Sequence, residues 1–131
     1  MFLDASAIVA ILAREPDWEA LALKIAPPKQ TIVSPNAIYE AVLGLVRSQS
    51  CEIETAETLV EQFLKQAGAT LVSIDETIGR GAVAAFSRFG KGRHRAGLNM
   101  GDCFSYACAK THRVPLLFKG DDFVHTDIRI A

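Results

Sequence analysis

Strand-length apolar runs alternate with helical patterns along this chain, and that alternation limits its folds more than any other feature. Met1-Phe2-Leu3 runs into Asp4 at the very start, and residues 31–33, 69–73 and 114–118 are three further runs of the same kind. Helix-start signals and apolar residues at one-face spacing fill the intervals between them. Strands joined through helices by short connections make a parallel sheet covered by helices on both faces. The expected fold is therefore an α/β three-layer sandwich with a twisted parallel sheet of four or five strands, the fifth candidate being residues 126–130.

The helical segments carry their own punctuation. Residues 5–12 read as a helix directly after Asp4, and Arg14-Glu15-Pro16-Asp17 breaks it before a second helix through Trp18, Leu21, Leu23 and Ile25, stopped by Pro27-Pro28. Ser34-Pro35 supplies a cap and a first-turn proline whose missing amide proton costs nothing. The helix after it is apolar most of the way round, and Glu40 falls in the narrow remaining sector with Asn36, Gly44 and Arg47. Taken alone, that sector is a solvated strip. Residues 50–54 read as a polar connection, Ala56, Leu59, Val60, Phe63 and Leu64 as an amphipathic helix ending near Gly68, and Asp75 as the cap of a helix through Phe86.

Composition narrows the function classes. The chain has 131 residues, half of them apolar, which suits one compact domain, expected over residues 1–131. With 14 basic and 15 acidic residues the net charge is -1, so no whole-molecule attraction to nucleic acid or anionic membrane is indicated. No apolar run approaches the roughly 20 residues of a membrane helix, and the N-terminus lacks a signal-peptide pattern, so a cytoplasmic protein without membrane contact is expected. Cys51, Cys103 and Cys108 lack disulfide or zinc-site spacing, and the latter two read as small core residues. Charge is nevertheless unevenly spread. Residues 78–101 contain no acid, while Arg80, Arg88, Lys91, Arg93, His94 and Arg95 cluster around a glycine-rich run at 89–97. A flexible loop of that kind grips phosphates when it binds anything, with Lys91, Arg93 and Arg95 as the contacts, although such runs are more often solvated loops.

The acids carry the chemistry. Asp102 opens a helix of small and aromatic residues, and by itself it reads as a helix cap. In a parallel sheet, however, ligands bind beyond the carboxyl ends of the strands. Asp4 ends the first strand and Asp121 and Asp122 follow the fourth, while Glu40 lies on the helix leaving the second strand and Asp102 opens the helix leading into the fourth. All of them can meet on one edge of the sheet. Converging carboxylates repel one another, and Mg²⁺ or Mn²⁺ is their natural counter-charge. Such ions activate water and stabilise the leaving oxygen of a phosphodiester. Ser6, two residues beyond Asp4, can steady a carboxylate, and Asn99 is a candidate for the true cap, which would free Asp102 for metal.

Met1-Phe2-Leu3-Asp4-Ala5-Ser6-Ala7, Glu40, Gly90-Lys91-Gly92-Arg93-His94, Leu98-Asn99-Met100-Gly101-Asp102-Cys103 and Leu116-Leu117-Phe118-Lys119-Gly120-Asp121-Asp122-Phe123 together resemble the PIN-domain toxins of the VapC type. The resemblance covers nearly the whole chain. It implies the PIN-like sandwich, Mg²⁺- or Mn²⁺-dependent endonucleolytic cleavage of RNA, neutralisation by a cognate antitoxin and a homodimer. It also puts Asp4, Glu40 and Asp102 in the metal site, with Asp4 and Asp102 as direct ligands and Asp122, which directly precedes the phenylalanine, closer to the family pattern than Asp121.

The expectation is thus a ribonuclease in which Asp4, Asp102 and one of Asp121 and Asp122 hold metal, Glu40 positions metal or water, and an activated water attacks the phosphate in line. The rivals are a receiver-type Mg²⁺ switch, a phosphohydrolase with an aspartyl nucleophile, and a non-catalytic PIN-like domain that binds RNA or a partner. The first two want a second acid after the first strand, where Asp4 stands alone.

Overall fold

A computed structural model describes residues 1–25 and 30–131, so the expected stop at Pro27-Pro28 lies outside the described residues. The elements run β1 (Phe2–Leu3), α1 (Ala5–Leu12), α2 (Trp18–Ile25), β2 (Ile32–Val33), α3 (Pro35–Gln49), α4 (Ile53–Gln66), β3 (Thr70–Leu71), α5 (Glu76–Phe89), α6 (Met100–Thr111), β4 (Leu116–Leu117) and a 3-10 turn at Phe123–His125. The caps at Ser34 and Asp75 follow the sequence signals, and Asp4, read as the acid ending the first strand, proves to be a cap as well. Asp4, Ser34 and Asp75 accept backbone amides at the starts of α1, α3 and α5, and Pro35 occupies the first turn of α3. Helix α4 begins at Ile53, inside the segment expected to be a connection.

The four strands are all parallel, in the order β3-β2-β1-β4. The ladder is short, but Phe2, Leu3 and Leu116 are wholly buried, so packing between the helical layers holds the sheet together. From β1 the chain crosses to β2 and β3 on one side and reaches β4 on the other. Direction therefore switches between β1 and β4, and a crevice opens there beyond the strand ends.

Residues 126–130 do not form a fifth strand. Only Ile130 bridges to Leu116, because the segment before it is held through side chains. Asp127 accepts the Tyr106 hydroxyl and pairs with Arg88 and Lys110 at 3.3 Å each, while the Thr126 hydroxyl donates to the Phe123 carbonyl. The basic run is tied together by hydrogen bonds. Lys91 donates its amide to the Leu98 carbonyl and Leu98 donates to Phe89, closing residues 90–98 at their base, and His94 Nδ1 accepts the Ala96 amide.

Close approaches between helices set the geometry of the crevice. A Cβ on Gly44 of α3 would stand 2.8 Å from Val9 Cγ2 of α1, so glycine there lets the two helices meet and brings Glu40 over the end of β1. Among the described residues, no helix is long and apolar enough to cross a membrane.

Candidate active site

Asp4 leaves β1 and immediately caps α1. Its Oδ2 accepts the Ser6 amide at 2.9 Å and the Ser6 hydroxyl at 2.5 Å. Ser6 Oγ in turn accepts the Lys119 amide at 3.0 Å, so the ends of β1 and β4 are tied through a single hydroxyl. Asp4 is only 4% exposed, and a carboxylate so buried costs several kcal/mol, of the order of 3–5, unless hydrogen bonds and a counter-charge offset it. Ser6 supplies the hydrogen bonds.

Asn99, not Asp102, is the cap of α6. Its side chain accepts the Asp102 amide at 3.0 Å, and Asp102 Oδ2 accepts the Asn99 amide at 2.9 Å, a reciprocal capping box. The sequence reading had the Asn99 cap freeing Asp102; the structure releases it only in part, since one oxygen goes to the box. Among the described residues no protein donor occupies Oδ1 of Asp4 or of Asp102, so each has an oxygen left for a cation.

Both belong to a crevice of about 420 Å³ whose lining includes Asp4, Glu40, Asp102 and Asp122. Asp121, the other candidate, is not in that lining. Glu40 reaches the crevice from α3 across the first turn of α6, where a Cβ on Gly101 would stand 2.0 Å from Glu40 Oε1. The solvated strip of α3 thus proves to be a wall of the site, with Glu40, Gly44 and Arg47 all lining it. Lys91, Arg93 and Arg95 lie elsewhere, on the closed loop.

The electrostatics are those of acids short of positive charge. Burial raises the Asp102 carboxyl to about 7; the Asn99 amide works against the rise, and the nearby charges of Asp4, Asp122 and Glu40 add to it. Glu40 is also raised, by burial first and then by Asp4, while Arg47 opposes the shift. Four oxygen acids lining one crevice, with Asp102 and Glu40 held back from ionising by burial and by their acidic neighbours, fit a hard divalent cation. Among the described residues no three such groups are gathered tightly enough to grip one.

Three charged lining residues were not among the expected site residues: Glu15, Arg47 and Lys119. Arg47 carried a legible signal, seven residues beyond Glu40 on the same helical face. Lys119 and Glu15 depend on tertiary contacts. The Lys119 ammonium donates to the Pro16 carbonyl at 2.6 Å and lies 3.5 Å from Asp17, pinning the turn that carries Glu15 against the end of β4.

An acidic crevice at the switch point of a parallel, helix-covered sheet, with two aspartates steadied by capping bonds, defines the class: an α/β domain of the acidic-crevice nuclease kind. Residues 1–129 match the model of the PIN domain family, and the chain belongs to that family, to its VapC type. It is 43% identical over 129 residues to Ribonuclease VapC of Mycolicibacterium smegmatis, covering 98% of this chain and 97% of the relative. It is 41% identical over 128 residues to Ribonuclease VapC30 of Mycobacterium tuberculosis, covering 98% and 95%. The crystal structure of VapC20 from Mycobacterium tuberculosis, described as a toxin that cleaves the sarcin-ricin loop, superposes with a TM-score of 0.76 over 99% of this chain and 97% of that one. At 14% identity that likeness speaks for the fold alone.

Proposed function

We propose that this chain is a divalent-metal-dependent endoribonuclease and the toxin of a toxin-antitoxin pair, its one PIN domain carrying the activity. The observation that carries the reading is the convergence of Asp4, Glu40, Asp102 and Asp122 on one crevice in a chain whose relatives are named ribonucleases.

Asp4 and Asp102 are the direct ligands in this reading, each through the oxygen not used in capping, and Asp122 closes the set from the β4 side. Bound there, Mg²⁺ or Mn²⁺ would polarise a water and offset charge on the leaving oxygen of a phosphodiester. Ser6 fixes the rotamer of Asp4, and the capping box fixes that of Asp102, so neither acid has to be ordered when RNA arrives. Glu40, whose carboxyl is raised by burial and by the charge of Asp4, faces these two acids across the crevice and would position the metal or a water. Arg47 at the rim offers a cation to a phosphate oxygen. The partners that go with this reading are an RNA substrate, a cognate antitoxin that covers the acidic crevice, and a second copy of the chain.

The test is cleavage of cellular RNA by purified protein in chelator, Mg²⁺ or Mn²⁺, beside Asp102→Asn. Cleavage that needs the ion and falls by about 100-fold or more in the variant supports the reading, on the scale of a lost general-acid or metal function. Cutting that persists in chelator, or equally in Asp102→Asn, overturns the metal mechanism. Binding of RNA without any cutting favours the non-catalytic domain.

A further inference from the structure

We propose that the apolar slot between α5 and the first turn of α6 receives one unpaired nucleobase of the RNA whose phosphate lies in the acidic crevice. This occupancy rests on the ribonuclease reading above. The slot measures about 250 Å³ and is lined by Gly79, Val83, Phe86, Met100, Cys103 and Phe104. That is below the roughly 300–1,000 Å³ of sites for drug-sized ligands, so it suits a single planar ring system. Val83, Phe86 and Met100 are 72%, 41% and 69% exposed, an unusual amount of apolar surface to leave beside a polar site.

Three observations point to a base as the occupant. The first is position. Asn99 and Asp102 line the crevice, while Met100 and Cys103 line the slot, so the two openings lie on either side of one helical turn. An α-helix is about 10–12 Å across with its side chains, a distance the neighbouring nucleotide can span. The second is charge. The guanidinium of Arg93 stands 5.6 Å from the centroid of the Phe86 ring, and the closed loop that holds it also carries Lys91 and Arg95. An aromatic face beside fixed cations is the usual platform for a single strand, since bases stack on the ring while phosphates meet the charges. The third is the slot's chemistry. Its lining offers almost no polar atom, so it distinguishes bases by ring size and stacking, not by their hydrogen-bonding edges. The basic run thereby gains a role it lacks within the crevice.

The experiment pairs changes in the slot with changes in the RNA. Gly79→Leu fills the slot: a Cβ there meets no atom within 4 Å, and leucine favours the helix over glycine, so folding is retained. Phe86→Ala removes the platform as a second, independent variant. Short RNAs carry either an intact base or an abasic ribose at each position flanking the cut. Wild type should cleave one abasic RNA about tenfold more slowly than its intact counterpart, as expected for the loss of one stacked base, whereas both variants should cleave the two equally. The same RNAs, with 2-aminopurine at that position, are bound in chelator and followed by fluorescence, which needs no cleavage. Quenching by wild type that is lost in both variants supports the slot even if no RNA is cut, in which case the ribonuclease reading fails alone. Cleavage with no intact-to-abasic difference, or variants that keep the wild-type ratio and quenching, overturns the slot. Sedimentation decides the remaining alternative: if Gly79→Leu turns a dimer into monomers, a second copy of the chain covers the slot and the proposal is wrong.

Discussion

Asp102 accepts the Asn99 amide on one oxygen and, with its other oxygen, stands in the field of Asp4, Asp122 and Glu40. These two duties pull its protonation in opposite directions, and burial decides the outcome, raising the carboxyl from 3.8 to about 7. A carboxyl raised in the folded state holds its proton where the unfolded chain has lost it. Its favourable contribution is therefore complete below the unfolded pKa, and it is lost as pH rises through the folded one. In chelator, the melting temperature of wild type should fall between about pH 5 and about pH 8 by a few degrees more than that of Asp102→Asn. The variant keeps an oxygen that can accept the Asn99 amide, so the cap survives while the titration disappears. Thermal melts at several pH values check this, and parallel curves for the two proteins would contradict it. If cleavage also depends on Asp102, as proposed, the same charge that serves the site weakens the metal-free fold, a common trade at active sites.

At the scale of elements, the site is made where α3 approaches α1 and α6 because glycines let it. Gly44 admits Val9 and brings α3 onto α1, and Gly101 leaves the space that Glu40 occupies over the start of α6. Alanine at 101 favours the helix by about 0.5–1 kcal/mol but places a methyl group where the Glu40 carboxylate now lies. Gly101→Ala should therefore stay folded, as circular dichroism melts would show, and lose about tenfold or more in cleavage as Glu40 is displaced. Full activity would mean that Glu40 need not sit there. Local signals made much of this layout legible: the capping residues Ser34 and Asp75, the Ser34-Pro35 start, and acids just beyond strand ends all name their elements directly. The Asn99 cap was legible as an alternative, and the capping box shows Asp102 supporting that cap with one of its two carboxylate oxygens. What was illegible depends on contacts far apart in sequence. Residues 126–130 have strand-like composition, but Asp127 is claimed by Tyr106, Arg88 and Lys110, and no pattern within the segment announces that. Lys119 and Glu15 enter the crevice only because the turn at Pro16 is pinned to the end of β4.

Over the whole molecule, a net charge of -1 conceals a separation of charge. Asp4, Glu15, Glu40, Asp102 and Asp122 line the crevice at the ends of β1 and β4, while residues 78–101 contain no acid and carry Lys91, Arg93 and Arg95 on a loop that is closed at its base. On the proposed function, such a layout would attract an RNA backbone to the basic side and leave the crevice dependent on a cation. Arg93→Ala should weaken single-stranded RNA binding and reduce the salt slope of log K by about 0.7, the value for one phosphate contact on a single strand; an unchanged slope would take the loop out of the interface.

The four acids line one crevice without closing tightly around a single point, and a divalent ion that gathers them into one metal site is what the whole account depends on. Titration of the protein with Mn²⁺, followed by electron paramagnetic resonance of the free ion, tests it without RNA. Wild type should take up the ion, and Asp102→Asn should bind it about 10–100-fold more weakly or not at all, as expected when a site loses a charged oxygen ligand. Wild type that leaves Mn²⁺ free, or a variant that binds it as tightly as wild type, would contradict the account.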